Sequence, residues 1–152
     1  MNLRYGLQSS KDLFGKLEAD AVLIENEVTS YKLFDFVVTA YHFYEWIEKD
    51  RSVPASAKSD IANVRQDQNI AICRDLANAT KHFELRKSYS NPVASTADSA
   101  QGFGVGRYDH GGYDVGEEEI VVTLLSGQQV DALQLTRDVL SLWRGFFQKH
   151  GI

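Results

Sequence analysis

The segment from Tyr31 to Ile47 constrains the fold more than any other part of this chain, because it is apolar on most of the circumference of a helix. Such a helix lies at the centre of a helical bundle or shares a face with a second subunit. The segment is too short and too interrupted by polar residues to span a bilayer. Since 152 residues are the usual length of one domain, we expect a single, mainly α-helical domain over residues 1–152.

Apolar residues that recur at helical spacing predict four principal helices, and therefore a four-helix bundle-like domain. These helices cover about residues 10–27, 30–50, 57–87 and 132–149. The third region contains a polar interruption near Asp67, where we expect a break and a new cap. The other expected caps are Ser9 or Ser10 for the first helix, Thr29 or Ser30 for the second and, as a capping box, Asp131 with Gln134 for the last.

Residues 88–130 differ in composition from the helices and are interpreted as a Gly/Ser-rich β insertion before the last helix. Alternation over Phe103–Arg107 and the apolar run Ile120–Leu125 favour strands. Ser126 and Gly127 predict a tight hairpin turn, followed by a short strand over residues 128–130. We therefore expect a small antiparallel β-hairpin or three-stranded sheet at this point.

The charge and cysteine content narrow the class of protein. A formal net charge of -5 argues against a generic nucleic-acid binder. Residues 51–89, however, carry seven basic and four acidic residues, and this local net charge of +3 is compatible with an anion-binding site. Cys73 is the only cysteine, which excludes an internal disulfide and is typical of a reducing cytoplasm. We interpret it as a small core residue rather than a reactive thiol. The N-terminus has no apolar signal-peptide core, so we expect a soluble cytoplasmic protein.

Three polar residues of the third helical region are the first candidate site. Arg74, Asn78 and His82 stand at i, i+4 and i+8, and a helix would place them on one polar ridge. A guanidinium, an amide and an imidazole in this arrangement can bind a phosphate and move a proton. The same residues can instead form a hydrogen-bonded seam inside a bundle, because buried polar groups normally find partners.

The context of this ridge, Arg-Asp-x-x-Asn-x-x-Lys-His near the end of a long helix, resembles the HEPN superfamily. Its members are helical bundles, often dimeric, and many are metal-independent ribonucleases or toxin components of bacterial phage-defence systems. Their signature is an arginine followed by a polar residue and, a few positions on, a histidine. Here Asp75 follows Arg74, and seven residues separate Arg74 from His82, one more than the signature has.

The resemblance implies roles for these residues. His82 would act as the general base on an RNA 2′-hydroxyl, since the pKa of imidazole lies near neutrality. Arg74 would hold the scissile phosphate, while Asn78 and Lys81 would add donors. A dimer would bring two ridges together, and the reaction would need no metal and no cofactor.

A His-x-x-Glu pair, His42 and Glu45, lies within the second helix. With His82 opposite, these two residues suggest a metal site, but the second such pair that a di-metal bundle uses is missing from the sequence. The more economical interpretation makes Glu45 the ion-pair partner of Arg74 across the contact between the second and third helices.

Two aromatic groups are candidate binding surfaces. Tyr108 and His110, beside a glycine-rich turn, can stack on a base or contact a partner, or can simply end a hairpin. The second group covers so much of the second helix that we expect part of it to form a homodimer face: Phe34, Phe36, Tyr41, Phe43, Tyr44 and Trp46.

Two functions follow from these patterns. The first is a non-catalytic dimeric interaction protein of HEPN-like architecture, in which the ridge is structural. The alternative is a metal-independent, HEPN-like ribonuclease or toxin-type protein that uses Arg74 and His82. The expected partners are a second copy of the chain and either RNA or a cognate protein, with no membrane involved.

Overall fold

The computed structural model of the chain describes residues 5–82, 92–101 and 117–152. This part folds into five helices and one antiparallel three-stranded sheet, which precedes the last helix. The predicted fold class is therefore confirmed. In chain order the elements are α1 (Ser10–Asn26), α2 (Ser30–Lys49), α3 (Ala55–Arg65), α4 (Gln68–His82), β1 (Val93–Gln101), β2 (Glu117–Leu124), β3 (Gln129–Asp131) and α5 (Ala132–His150).

The first two helices begin at two of the predicted caps. The Ser9 hydroxyl accepts a hydrogen bond from the Asp12 backbone N–H, and the Asp12 carboxylate accepts one from the Ser9 N–H, which completes a capping box. Thr29 caps α2 by accepting from the Lys32 N–H. Both helices thus begin where a short polar side chain replaces a missing intrahelical partner.

The start of α5 agrees with the prediction in one bond and differs in the other. Asp131 accepts a hydrogen bond from the Gln134 backbone N–H, as a cap should. The second half of a capping box, in which the Gln134 side chain would accept from the Asp131 N–H, is not formed, so the prediction is wrong there. The Gln134 side chain instead donates to Asp138 at 2.8 Å. The helix ends at Gly151, whose φ of 66° is a left-handed conformation that favours glycine.

The predicted long third helix is two helices, separated at the expected place. α3 ends at Arg65, and the Asp67 carboxylate accepts from the Asn69 N–H at 2.8 Å to begin α4. Asp67 therefore acts as the predicted cap. The predicted continuation of this helix over residues 83–87 lies outside the described residues.

The core is built around α2, which contacts each of the other four helices. Phe36, Phe43 and Ile47 of α2 are fully buried. The ring of Phe43 meets Trp143 of α5 edge to face, with centroids 4.5 Å apart. Each such side chain contributes roughly 1.5–3 kcal/mol by leaving water. None of the described helices is long and apolar enough to cross a membrane.

The sheet has the order β1-β2-β3, and both pairings are antiparallel. The apolar run predicted as a strand forms the central strand β2, which buries Ile120, Val122 and Leu124 against the helices. The predicted turn is also confirmed, with Gly127 at a φ of 86°. The strand expected at 103–107 lies outside the described residues. The strand β1, in contrast, is present in the structure but does not follow from the sequence pattern.

Candidate functional site

The residues of the predicted ridge follow one another along α4. This helix continues from Gln68 to His82, so the four-residue spacing of Arg74, Asn78 and His82 places them on one side of it. Asn78 is partly buried and Lys81 is exposed. The side chain of His82 lies outside the described part of the chain, although its backbone belongs to the helix.

The Arg74 guanidinium is engaged by the next residue in the sequence. Its Nε and Nη2 atoms donate to Oδ1 of Asp75 at 3.2 and 3.1 Å. The Asp75 side chain is 1% exposed, and that of Arg74 is 28% exposed. The second carboxylate oxygen of Asp75 accepts the backbone N–H of Val93 at 3.2 Å. Asp75 therefore connects α4 to the first residue of β1, and Arg74 balances the charge of this buried carboxylate.

Glu45 does not take the role that the sequence predicted for it. Its carboxylate accepts hydrogen bonds from Lys49 at 3.5 Å and from the Tyr44 hydroxyl at 3.4 Å. The expected Glu45–Arg74 ion pair is thus wrong, and Arg74 pairs with Asp75 instead. A buried carboxylate needs a positive partner more than an exposed one does, and the Glu45 side chain is 42% exposed.

The other predicted site residues are scattered. His42 is exposed on α2, with its ring centroid 5.1 Å from that of Tyr41. Tyr108 and His110 lie outside the described residues. Among the residues that the structure describes, no group of three or more His, Cys, Asp or Glu side chains is arranged to hold a metal ion.

Cys73 occupies the core, as predicted. Its side chain is fully buried, and this burial, together with the negative charge of Asp67, raises the pKa of the thiol above its ordinary value. The thiol therefore stays protonated near neutrality and is a poor nucleophile.

The chain buries only part of the aromatic group of α2. Phe36 and Phe43 are completely buried and Tyr44 is 9% exposed, but the other three rings of the predicted group are not fully buried. The buried rings pack among the other helices, including α3, whose Arg65 guanidinium lies 4.3 Å from the centre of the Tyr44 ring. The aromatic exposure of α2 is concentrated at its N-terminal end, where Tyr31 is 87% exposed and Phe34 is 45% exposed.

Those two rings border a groove of about 640 Å³ between α2, α4 and β1, which we call the α2–α4–β1 groove. Leu33 and Val37 of α2 and Leu76 and Ala79 of α4 line its helical side. The strand side is formed by residues 94–98 of β1, all of which are exposed and most of which are small. Sequence reasoning missed this groove because one of its walls is the strand that was not predicted.

The groove carries little charge. Its lining includes two carboxylates, Asp75 and Asp98, and Asp75 is already paired with Arg74. Asp98 is exposed at the strand side. A concave apolar surface with an exposed acidic group at its edge is typical of a binding site.

Comparison of the chain with family models, curated proteins and solved structures gives no match. The class of the protein is therefore defined by its architecture, a helical bundle with a small antiparallel sheet and an apolar groove between them.

Proposed function

We propose that this protein is a non-catalytic interaction protein of HEPN-like architecture that acts as a homodimer through the N-terminal end of α2. The observation that carries the proposal is the α2–α4–β1 groove with Tyr31 and Phe34 at its border. A single chain leaves both rings in contact with water, although buried aromatic rings contribute most to the stability of interfaces. A contact face at this position removes them from water.

The surroundings of Arg74 support a structural role for the ridge. A catalytic arginine must be available to the phosphate that it stabilises. Here the guanidinium donates two hydrogen bonds to a buried carboxylate, which would lose its positive partner if Arg74 turned to a substrate. This cost favours a binding function over phosphate chemistry at Arg74.

The test is the oligomeric state of wild type, Tyr31→Ser and Phe34→Ser, measured by light scattering after gel filtration from about 1 to 200 µM, a range that covers micromolar dissociation constants. We expect a wild-type dimer and variants that are folded but dissociate at least about tenfold more easily. Tyr5→Ser is the matched control, since Tyr5 is 94% exposed and does not line the groove. A wild-type chain that is monomeric throughout this range contradicts the proposal.

A second candidate function, a metal-independent ribonuclease, is favoured by one observation, the continuity of α4 through Arg74, Asn78 and His82. Wild type, Arg74→Ala and His82→Ala would be incubated with a mixed RNA pool in EDTA, with circular dichroism as the check of folding. Cleavage by wild type that both folded variants lose supports catalysis, with His82 as general base. Lys58→Ala, on α3, is the control for loss of a basic side chain elsewhere.

A further inference from the structure

We propose that the two copies pair through the outer edges of their β1 strands, so that the two three-stranded sheets become one six-stranded sheet and each copy covers the groove of the other. This inference rests on the proposed homodimer and specifies how it forms. Addition of a strand to an exposed sheet edge is a general mode of recognition, because backbone hydrogen bonds give affinity and neighbouring pockets give specificity.

The outer edge of β1 is suited to such pairing. Among the described strands, β1 pairs with β2 alone. It is nine residues long and contains no proline, lysine or arginine, three residues that proteins commonly place on edges to prevent pairing. Its irregularity in register lies at its beginning, between Val93 and Ser95, away from the middle of the strand. Residues 94–98 are exposed. Beyond Val93, whose N–H is bonded to Asp75, this edge leaves its outward backbone donors and acceptors available to a second strand.

The register of β1 shows which side chains face the groove. Thr96 pairs with Val122 and Asp98 with Ile120, and both of these β2 residues are buried against the helices. Directly opposite residues in an antiparallel pair point to the same face, so Thr96 and Asp98 point toward the helices. Ala97 alternates with them and points to the opposite face.

The chemistry of this strand favours a second copy as the occupant. Pairing about a two-fold axis at Ala97 aligns the middle of both strands, and it places Thr96 of one copy opposite Asp98 of the other. Each threonine hydroxyl can then donate to a carboxylate that has no basic neighbour in the groove lining. The two Asp98 carboxylates lie diagonally, roughly 7–8 Å apart, where their repulsion in water is about 0.5 kcal/mol.

The area available is sufficient for a weak specific dimer. A nine-residue strand edge is about 30 Å long and presents about 300 Å². The exposed parts of the Tyr31 and Phe34 rings add about 250 Å² per copy. Two copies together would bury about 1,100 Å², near the lower limit for a specific interface, so we expect a dissociation constant in the micromolar range.

Disulfide cross-linking tests the strand pairing directly. The two-fold axis at Ala97 puts this residue opposite its own copy with the Cα atoms about 4.5–5.5 Å apart, within the range that a disulfide spans. Ala97→Cys should therefore form a covalent dimer under mild oxidation at protein concentrations where wild type is dimeric. Ala62→Cys, at an exposed position of α3, is the matched control and should remain monomeric on a denaturing gel. The buried Cys73 contributes no background.

A charge substitution provides a second measurement that does not depend on a new thiol. Thr96→Glu should weaken dimerisation about tenfold or more, because the register places the new carboxylate directly opposite Asp98 of the other copy. Gln129→Glu, on the opposite edge strand β3, should leave it unchanged.

The outcomes separate this inference from the proposed function. A dimeric wild type in which Ala97→Cys fails to cross-link, or cross-links no better than Ala62→Cys, and in which Thr96→Glu has no effect, overturns strand pairing but not the homodimer. A wild type that is monomeric at every concentration overturns both, and an extended segment of another protein then becomes the occupant to seek.

Discussion

The interaction between Arg74 and Asp75 gives the sharpest prediction, because it separates a structural ridge from a catalytic one. Asp75 is 1% exposed and accepts two hydrogen bonds from Arg74 and one from Val93. Arg74→Ala removes the two hydrogen bonds from the guanidinium and keeps the one from the Val93 N–H. Loss of a positive partner from a fully buried pair costs about 3–5 kcal/mol, but the 28% exposure of Arg74 lets water replace part of it. We expect a destabilisation of about 2 kcal/mol.

A double-mutant cycle isolates this interaction from others that Arg74 makes. The free energies of unfolding of wild type, Arg74→Ala, Asp75→Asn and the double variant would be measured by urea denaturation followed by circular dichroism. We expect the double variant to lose about 1–2 kcal/mol less than the sum of the single variants, because each single change leaves an unmatched partner.

Two results would refute this reasoning about the pair. Additive effects within about 0.5 kcal/mol would mean that the two side chains are not coupled. A folded Arg74→Ala variant as stable as wild type would mean that the buried carboxylate needs no positive partner. Lys81→Ala is the control on the same helix, since Lys81 is exposed, and its effect should stay within about 0.5 kcal/mol.

Three further predictions follow from single residues. Partial burial opposes ionisation of Asp50, but hydrogen bonds from Ser10 and Ser52 lower its pKa to about 2. Asp50→Asn should therefore lower the free energy of unfolding by about 1 kcal/mol at pH 7. This difference between variant and wild type should shrink as the pH falls from about 4 to 2, because the carboxylate becomes protonated. Cys73 should resist a thiol reagent until urea unfolds the chain. Gly127→Ala should lower the unfolding free energy by about 1 kcal/mol in the same denaturation assay, because its φ of 86° strains any side chain.

Much of the helical fold could be predicted because its signals are local. Ser9, Thr29 and Asp67 lie where short polar side chains precede apolar periodicity, and each accepts a backbone hydrogen bond at a helix start. β2 was also predictable, since an apolar, β-branched run before a Ser-Gly turn has few alternatives. These elements depend on residues close in sequence, so one sequence is enough to place them.

The strand β1 could not be predicted because its own residues do not favour a strand. The segment Val93–Gln101 contains mainly alanine, serine and other small or polar residues, without apolar alternation. It becomes a strand because its backbone pairs with the edge of β2 and because the Asp75 carboxylate accepts the Val93 N–H. The groove was missed for the same reason, since one wall of it exists only after this long-range pairing.

The Arg74–Asp75 contact was also beyond sequence reasoning. Adjacent residues on a helix do not normally face each other, so helical spacing favours a partner for Arg74 on another helix, such as Glu45. The partner of Arg74 is instead determined by burial, because the Asp75 side chain is almost inaccessible to water whereas the Glu45 side chain is 42% exposed. The extent of burial at each carboxylate is a tertiary property, which helical spacing does not reveal.

The position of Asp75 affects how any mutation of the ridge should be interpreted. Asp75 fixes the first residue of β1, and β1 forms one wall of the α2–α4–β1 groove and the edge proposed to pair. Arg74→Ala can therefore disturb binding at the groove without any role in chemistry, and a loss of biological activity in that variant does not identify a catalytic arginine. The discriminating variant is Thr96→Glu, which changes the proposed interface and leaves Arg74 and Asp75 intact. If Thr96→Glu and Arg74→Ala cause the same loss while the RNA assay shows no cleavage, the ridge acts by holding the interaction surface in place.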